Sequence, residues 1–233
     1  MATAMLNARI WYHDQALSTQ LNAVALDYSA EELDATVLTD TTRTRAGGLK
    51  DAQAAIAGFW NSTEDKALFD AIGLNKPLLI SSGPTVGDVA YGMVALDGAW
   101  KLEGEHGELL GFNITLNSGN DGPLVRGQLA FGSQISSSGN GTALNLGLVA
   151  AGQRVYSGLH VTQFDGTSLD VVIQGDVDSG MGSPIGHITF AQATGLTSEW
   201  GSKAGAIADD DWWRVNYTFV GTNVTFAVLI GIL

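Results

Sequence analysis

Four histidines, His13, His106, His160 and His187, are the side chains best suited to ligate metal or shuttle protons near neutral pH. No two of them stand at a chelating spacing such as H-x-H or H-E-x-x-H. His160 and His187 fall within alternating segments and read as packing residues. The chain has no cysteine, which removes thiolate ligands, a thiol nucleophile and disulfides. Asp97, Glu103, Glu105 and Glu108 gather in one short stretch. A glycosidase needs two carboxylates facing one bond, but these flank a hairpin and a Gly-rich turn, where solvated charge collects. Asp176-Val177-Asp178-Ser179-Gly180 starts like a calcium loop. An EF-hand requires Gly at its sixth position and Glu at its twelfth, and this chain places Met181 and His187 there. A looser calcium site would draw on Asp176, Asp178 or Asp209–Asp211. Gly139-Asn140-Gly141-Thr142 lacks the third glycine of a phosphate loop, and no G-x-S-x-G elbow occurs. Sequons at Asn61, Asn113, Asn140, Asn216 and Asn223 reflect Thr-rich strands. The expectation is a protein without catalytic, cofactor or metal-binding residues.

Charge narrows the partners. The 11 basic residues face 24 acidic ones, a net charge of −13. Stable nucleic-acid binding runs on an excess of Lys and Arg that displaces counterions, so it is not expected. Acidity serves solubility, or it lines a passage that DNA must cross without sticking. The first residues lack a basic region followed by an apolar one, so no signal peptide is read. The longest apolar tract, Val224–Leu233, is about half a membrane span and reads as a buried strand; no membrane association is expected.

The elements that must position these residues are strands. With 30 glycines, 4 prolines and 45% hydrophobic residues, alternating segments bounded by Gly, Asn, Asp and Ser recur along the chain. They predict an all-β fold: an antiparallel β-sandwich or barrel with one short flanking helix and long loops. Expected strands include Thr36–Thr39, Ala52–Trp60, Val89–Leu96, Trp100–Glu105, Arg154–Gln163, Ser168–Gln174, Trp213–Val220 and Asn223–Ile230. Leu96-Asp97-Gly98-Ala99, Asp165-Gly166-Thr167 and Gly221-Thr222-Asn223 read as hairpin turns. Ser62 and Asp65 have a capping-box spacing; Ala67, Leu68, Ala71 and Ile72 then form an apolar helix face, and Gly73 is a stop. Gly132–Thr142 and Gly195–Asp211 read as long irregular segments. The whole chain, 1–233, is taken as one β domain; the alternative is two β units, 1–131 and 143–233, joined by the Ser/Gly-rich stretch.

One stretch is more patterned than the rest. Leu33–Trp60 reads Leu-Asp-x-Thr, then Asp40-Thr41-x-Arg43, then Gly48-Leu49-Lys50-Asp51, then Gly58-Phe59-Trp60. It resembles a stretch of the major tail (tail tube) proteins of long-tailed bacteriophages. Tyr91-Gly92-Met93-Val94-Ala95, Gly107–Phe112 and the ending Trp212-Trp213-Arg214-Val215 … Gly221-Thr222-Asn223 resemble phage structural proteins in the same way. The resemblance implies a structural protein, not an enzyme. Subunits join sheets edge to edge into rings, usually hexameric, and the rings stack through loops and arms into a tube that conducts DNA during ejection. It implies a homo-oligomer in the virion tail, assembled in the host cytoplasm, with tape measure, tail terminator and baseplate or tip proteins as partners. Leu33–Thr42 and Gly47–Trp60 would supply lumen-lining strands and the loop between them. Arg43, Arg45 and Lys50 are candidates for pairing with acidic groups of the next ring. Trp212, Trp213 and Arg214 are candidates for a subunit contact, since Trp and Arg concentrate in interface hot spots. Two other readings fit the composition: a capsid decoration or head-completion protein forming trimers, and a carbohydrate-binding β-sandwich using Trp11, Trp100 and Trp200 as stacking platforms.

Overall fold

The computed structural model describes residues 7–39, 41–119 and 122–233. Asp40, part of the patterned stretch, lies outside the described residues. The element order is β1 (Arg9–Tyr12), β2 (Gln15–Ala16), β3 (Leu21–Asp34), β4 (Arg45–Phe59), α1 (Ser62–Asp70), β5 (Asn75–Ser81), β6 (Val89–Glu103), β7 (Gly111–Ser118) and β8 (Val125–Ile135). Then follow β9 (Gly139–Asn140), β10 (Leu144–Asn145), β11 (Arg154–Asp176), β12 (Ile185–Thr189), β13 (Thr197–Ala204) and β14 (Trp212–Ile232). The fold is all-β and antiparallel with one short helix, as the sequence predicts. The chain forms two compact units, one of Met1–Thr19, Asn75–Val94 and Asp121–Leu233, the other of Gln20–Leu74 and Ala95–Asn120.

The first unit is organised by two very long strands. β11 and β14 pair antiparallel from Val155↔Ile232 to Asp176↔Trp212. The segments read as hairpin turns, Asp165-Gly166-Thr167 and Gly221-Thr222-Asn223, are instead opposed bulges in the middle of this ribbon. The same glycines that favour a tight turn also permit a bulge and a close backbone crossing. A Cβ on Gly221 would lie 2.4 Å from the Gly166 Cα, so both positions must lack a side chain. The bulge folds the ribbon back on itself. Tyr217, before the bend, meets Phe226, after it, edge-on at 5.5 Å, and Phe131 stacks on Phe226 at 4.4 Å. Between the two halves lies a core of Val155, Val161, Leu169, Ile173, Val215, Val228 and Ile230, all 1% exposed or less. The apolar ending is therefore a buried strand, with Phe226–Ile230 closed from solvent on both faces.

Two segments expected to be irregular are partly ordered by pairing. β13, inside Gly195–Asp211, pairs with β11 from Arg154↔Ala204 to Val161↔Thr197. β9, inside Gly132–Thr142, pairs with Tyr217 and Asn216 of β14. Neither segment alternates, but backbone hydrogen bonds need no side-chain pattern.

The second unit is a sheet in the order β3, β4, β7 and the latter part of β6. Alternation along β4 sends Ala52, Ala54 and Ile56 inward, beside Phe112, Ile114 and Leu116 of β7. α1 starts at Ser62, with Glu64 and Asp65 in its first turn, where the helix dipole favours acid. Gly73, at φ 80°, follows its end. Of the apolar face read from sequence, Leu68 and Ala71 are buried while Ile72 is exposed. The turn read at Leu96–Ala99 is a bulge between Asp97 and Ala99, and β6 runs on through it. Thr36–Thr39, read as a strand, is not one; it belongs to the loop that closes the β3–β4 hairpin.

Candidate assembly surfaces

The chemistry-bearing residues are largely absorbed by the fold. His160, fully buried, donates from Nδ1 to the His13 carbonyl at 2.7 Å, and burial pulls its pKa down to about 4. Its Nε2 has no partner, and a neutral lone pair is the less costly atom to leave unpaired. Burial also lowers the pKa of His13, whose Nδ1 lies 3.1 Å from the Ser198 hydroxyl. The fold thus brings His13 and His160 together across about 150 residues of sequence, through a backbone carbonyl that no spacing rule detects. His187 pairs with Asp210 at 2.5 Å, against the Trp213 ring. His106 is exposed. Among the described residues, no group of three or more His, Asp or Glu side chains could hold a metal ion.

The carboxylates divide sharply. Asp97 is 1% exposed, with neither oxygen hydrogen-bonded, and burial pushes its pKa up to about 6 against a nearby Ala99 N–H. Glu103, Glu105 and Glu108 are exposed; the Lys101 and Asn113 side chains hold the Glu103 pKa below the ordinary value. Asp176 accepts from the N–H groups of Val177 and Ser183, and Asp178 accepts from Gly180. These carboxylates close their own loop. The aromatic platforms are also occupied: Trp11 is buried, Trp100 meets Phe69 edge-on at 5.5 Å, and Trp200 fills space that a Cβ on Gly92 or Gly158 would invade.

The candidate contact residues separate into two groups. Trp213 is fully buried, its indole N–H donating to the Gly147 carbonyl at 3.0 Å, so its surface is spent inside its own unit. Trp212 and Arg214 are half-buried, and Arg214 Nε donates to Gln174 at 2.9 Å. Arg43, Arg45 and Lys50 are exposed on the β3–β4 hairpin. Arg45 pairs with Glu32 at 2.7 Å and Arg43 approaches Asp34 at 3.9 Å, both across open solvent.

That hairpin belongs to a sheet with two unusual properties. First, among the described residues β3 pairs with β4 alone, so fourteen residues present an open edge. Asp27, Glu31, Glu32 and Asp34 charge it, which is how natural proteins restrain indiscriminate edge pairing. Second, its outward face is built largely of small and amide side chains. Register brings together Ala25, Ala55 and Thr115, then Ala23, Ala57 and Asn113, then Asp27, Gln53 and Asn117. The Gln53 amide donates to Asn117 at 2.8 Å and Asn113 to Glu103 at 2.5 Å.

Sequence reasoning missed a third feature. Large apolar side chains are exposed at both ends of β4: Val37, Leu38 and Leu49 by the hairpin loop, Phe59, Leu102 and Leu109 at the far end. Leu109-Leu110, two leucines between glycines with no alternation to bury them, was the available signal.

No protein-family model matches the chain, and no curated protein matches it. Solved structures do. The chain is similar to one in the virion of a native gene transfer agent particle, with 22% identity over 53% of this chain and 97% of that one and a TM-score of 0.43. It is similar to one in the sheath/tube terminator of an extracellular contractile injection system in the extended state, with 13% identity over 54% and 96% and a TM-score of 0.43. It is also similar to the Dit protein of SPP1, described as a hub of the adsorption apparatus in phages infecting Gram-positive hosts, with 10% identity over 97% and 99% and a TM-score of 0.38.

Proposed function

We propose that this chain is a structural protein of a phage tail that self-assembles into stacked rings, forming a tube through which DNA passes during ejection. The observation that carries the reading is the second unit's sheet: an open fourteen-residue edge beside a face built largely of small and amide side chains. An open edge is a liability for a monomer and a ready interface for a polymer. A head-to-tail contact that closes gives a ring, and further contacts stack rings. A wall built largely of Ala, Thr, Asn and Gln, its Lys101 paired with Glu103, gives phosphate little to hold, and a net charge of −13 repels it. DNA then slides without adhering. The protein works in the virion tail after assembly in the host cytoplasm, and its ends meet tape measure, terminator and baseplate or tip proteins. The Leu33–Trp60 pattern supports the same reading.

Sedimentation velocity of the purified full chain over rising concentration tests this. The expected result is a ring-sized species followed by much larger, polydisperse ones. A monomer at every concentration overturns the proposal, and a trimer that never grows favours a capsid decoration protein.

A further inference from the structure

In the first unit, β13 has one edge in use and one edge free. Among the described residues it pairs with β11 alone. Mutual hydrogen bonds between Arg154 and Leu233 turn the Arg154 backbone toward the β14 side. Alternation along an antiparallel ladder then turns Val155, Ser157, Leu159 and Val161 toward β13, where they register with Lys203, Gly201, Glu199 and Thr197. The N–H and C=O groups of Ser198, Trp200, Ser202 and Ala204 therefore point away from β11.

This edge opens onto a cleft of about 460 Å³, lined by Asn75, Lys76, Val94, Ser198, Trp200 and Ser202 among others. His13 closes one end of it: its N–H donates to the Pro77 carbonyl, and its Nδ1 lies 3.1 Å from the Ser198 hydroxyl. The same alternation turns the Asn75 backbone to the side of β5 that β1, ending at Tyr12, leaves uncovered. The cleft thus presents main-chain groups from both β13 and β5. An extended chain satisfies such an edge, because its own main chain supplies the complementary row of donors and acceptors.

Charge selects the segment. The cations at the cleft are Lys76 on its wall, Arg154, whose guanidinium donates to Ser202 at 3.0 Å, and exposed Lys203. The carboxylates there are Glu199 and Asp14, and both already accept hydrogen bonds, from the Ala191 N–H and the Gln15 amide. None of the three cations forms an ion pair among the described residues. In a chain with 11 basic residues against 24 acidic ones, this is a local excess of uncommitted positive charge, which favours an acidic partner.

We propose that the free edge of β13 takes up an extended acidic segment of another protein. The segment adds as a strand along Trp200–Ala204, with its carboxylates near Lys76, Arg154 and Lys203. The contact lies within the first unit and does not depend on ring formation.

Amide hydrogen exchange followed by NMR on the full chain tests this, with an alternating valine–glutamate peptide of eight residues, the length of β13, as the probe. Adding the peptide should slow exchange at Trp200, Ser202 and Ala204 about tenfold or more. Gly201 and Lys203, already bonded to β11, should not change. The same peptide with lysine in place of glutamate should bind about tenfold more weakly or worse. Ser202→Pro removes one outward N–H, which an edge strand tolerates, and should abolish binding while β11 keeps its protection; Ala204→Pro should weaken binding in the same way. Exchange that the peptide leaves unchanged, or equal binding of both peptides, overturns the proposal. So does slowing of the same amides with rising protein concentration and no peptide, which would make the occupant a second copy of this chain.

Discussion

β14 and the outer part of the β3–β4 hairpin are both long, alternating antiparallel strands, yet they are used in opposite ways. In β14, Val224 and Phe226–Ile230 are shielded on both faces. In the hairpin, every residue from Asp27 to Asp34 is exposed on both faces, and Leu38 has no shielding at all. β14 closes its apolar side chains from Phe226 to Ile230 against solvent, whereas the outer hairpin leaves Leu33, Val37, Leu38 and Leu49 open to it.

The largest expected effect comes from breaking the buried side of this contrast. Trp213→Ala should cost about 3–5 kcal/mol, since it removes a fully buried ring and its bond to Gly147; urea unfolding measures this. Gly221→Val should cost about 1–3 kcal/mol or more, because its first carbon already meets the Gly166 backbone. Loss of the β11–β14 ribbon's hydrogen-exchange protection would report it. By contrast, Leu38→Asp should change the unfolding free energy by less than about 0.5 kcal/mol while hindering large assemblies. If it unfolds the protein, the hairpin is part of the core after all.

Acid should separate the units further. His160 in the first unit has a folded pKa of about 4, below its ordinary 6.5, so its contribution is complete above pH 6.5 and drains away as pH falls toward 4. Asp97 in the second unit has a folded pKa of about 6, above its ordinary 3.8, so its cost is full above pH 6 and is relieved as pH falls toward 3.8. Acidification through this window should therefore weaken protection around β11 and strengthen it around the β6 bulge. Asp97→Asn should flatten the second trend and stabilise the protein at neutral pH, the difference vanishing below the ordinary carboxylate range. Arg45→Ala should likewise have a small effect, less than about 1 kcal/mol in unfolding, because its pair with Glu32 is solvent-exposed on both sides.

What was legible in the sequence follows the same division. Fold class, the buried ending and the helix start were written in local periodicity and capping residues. The two central bulges of the ribbon were not, because Asp-Gly-Thr and Gly-Thr-Asn carry the same backbone freedom whether a strand reverses or bends. Only the partner strand decides, and it lies far along the chain. Asp97 illustrates the same limit: its identity suggests a solvated turn, and its burial depends on β6 continuing through the bulge. Trp212-Trp213 announced one ring on each side of a strand, and the structure shows which side closes on the core. The apolar patches at the ends of β4 escaped because exposure is a tertiary property that single residues do not encode.

Electron microscopy of the full-length protein, negatively stained over rising concentration, tests the central claim most directly. The expected result is stacked rings with a central channel wide enough for duplex DNA. Isolated monomers, or closed trimers that never stack, would contradict it.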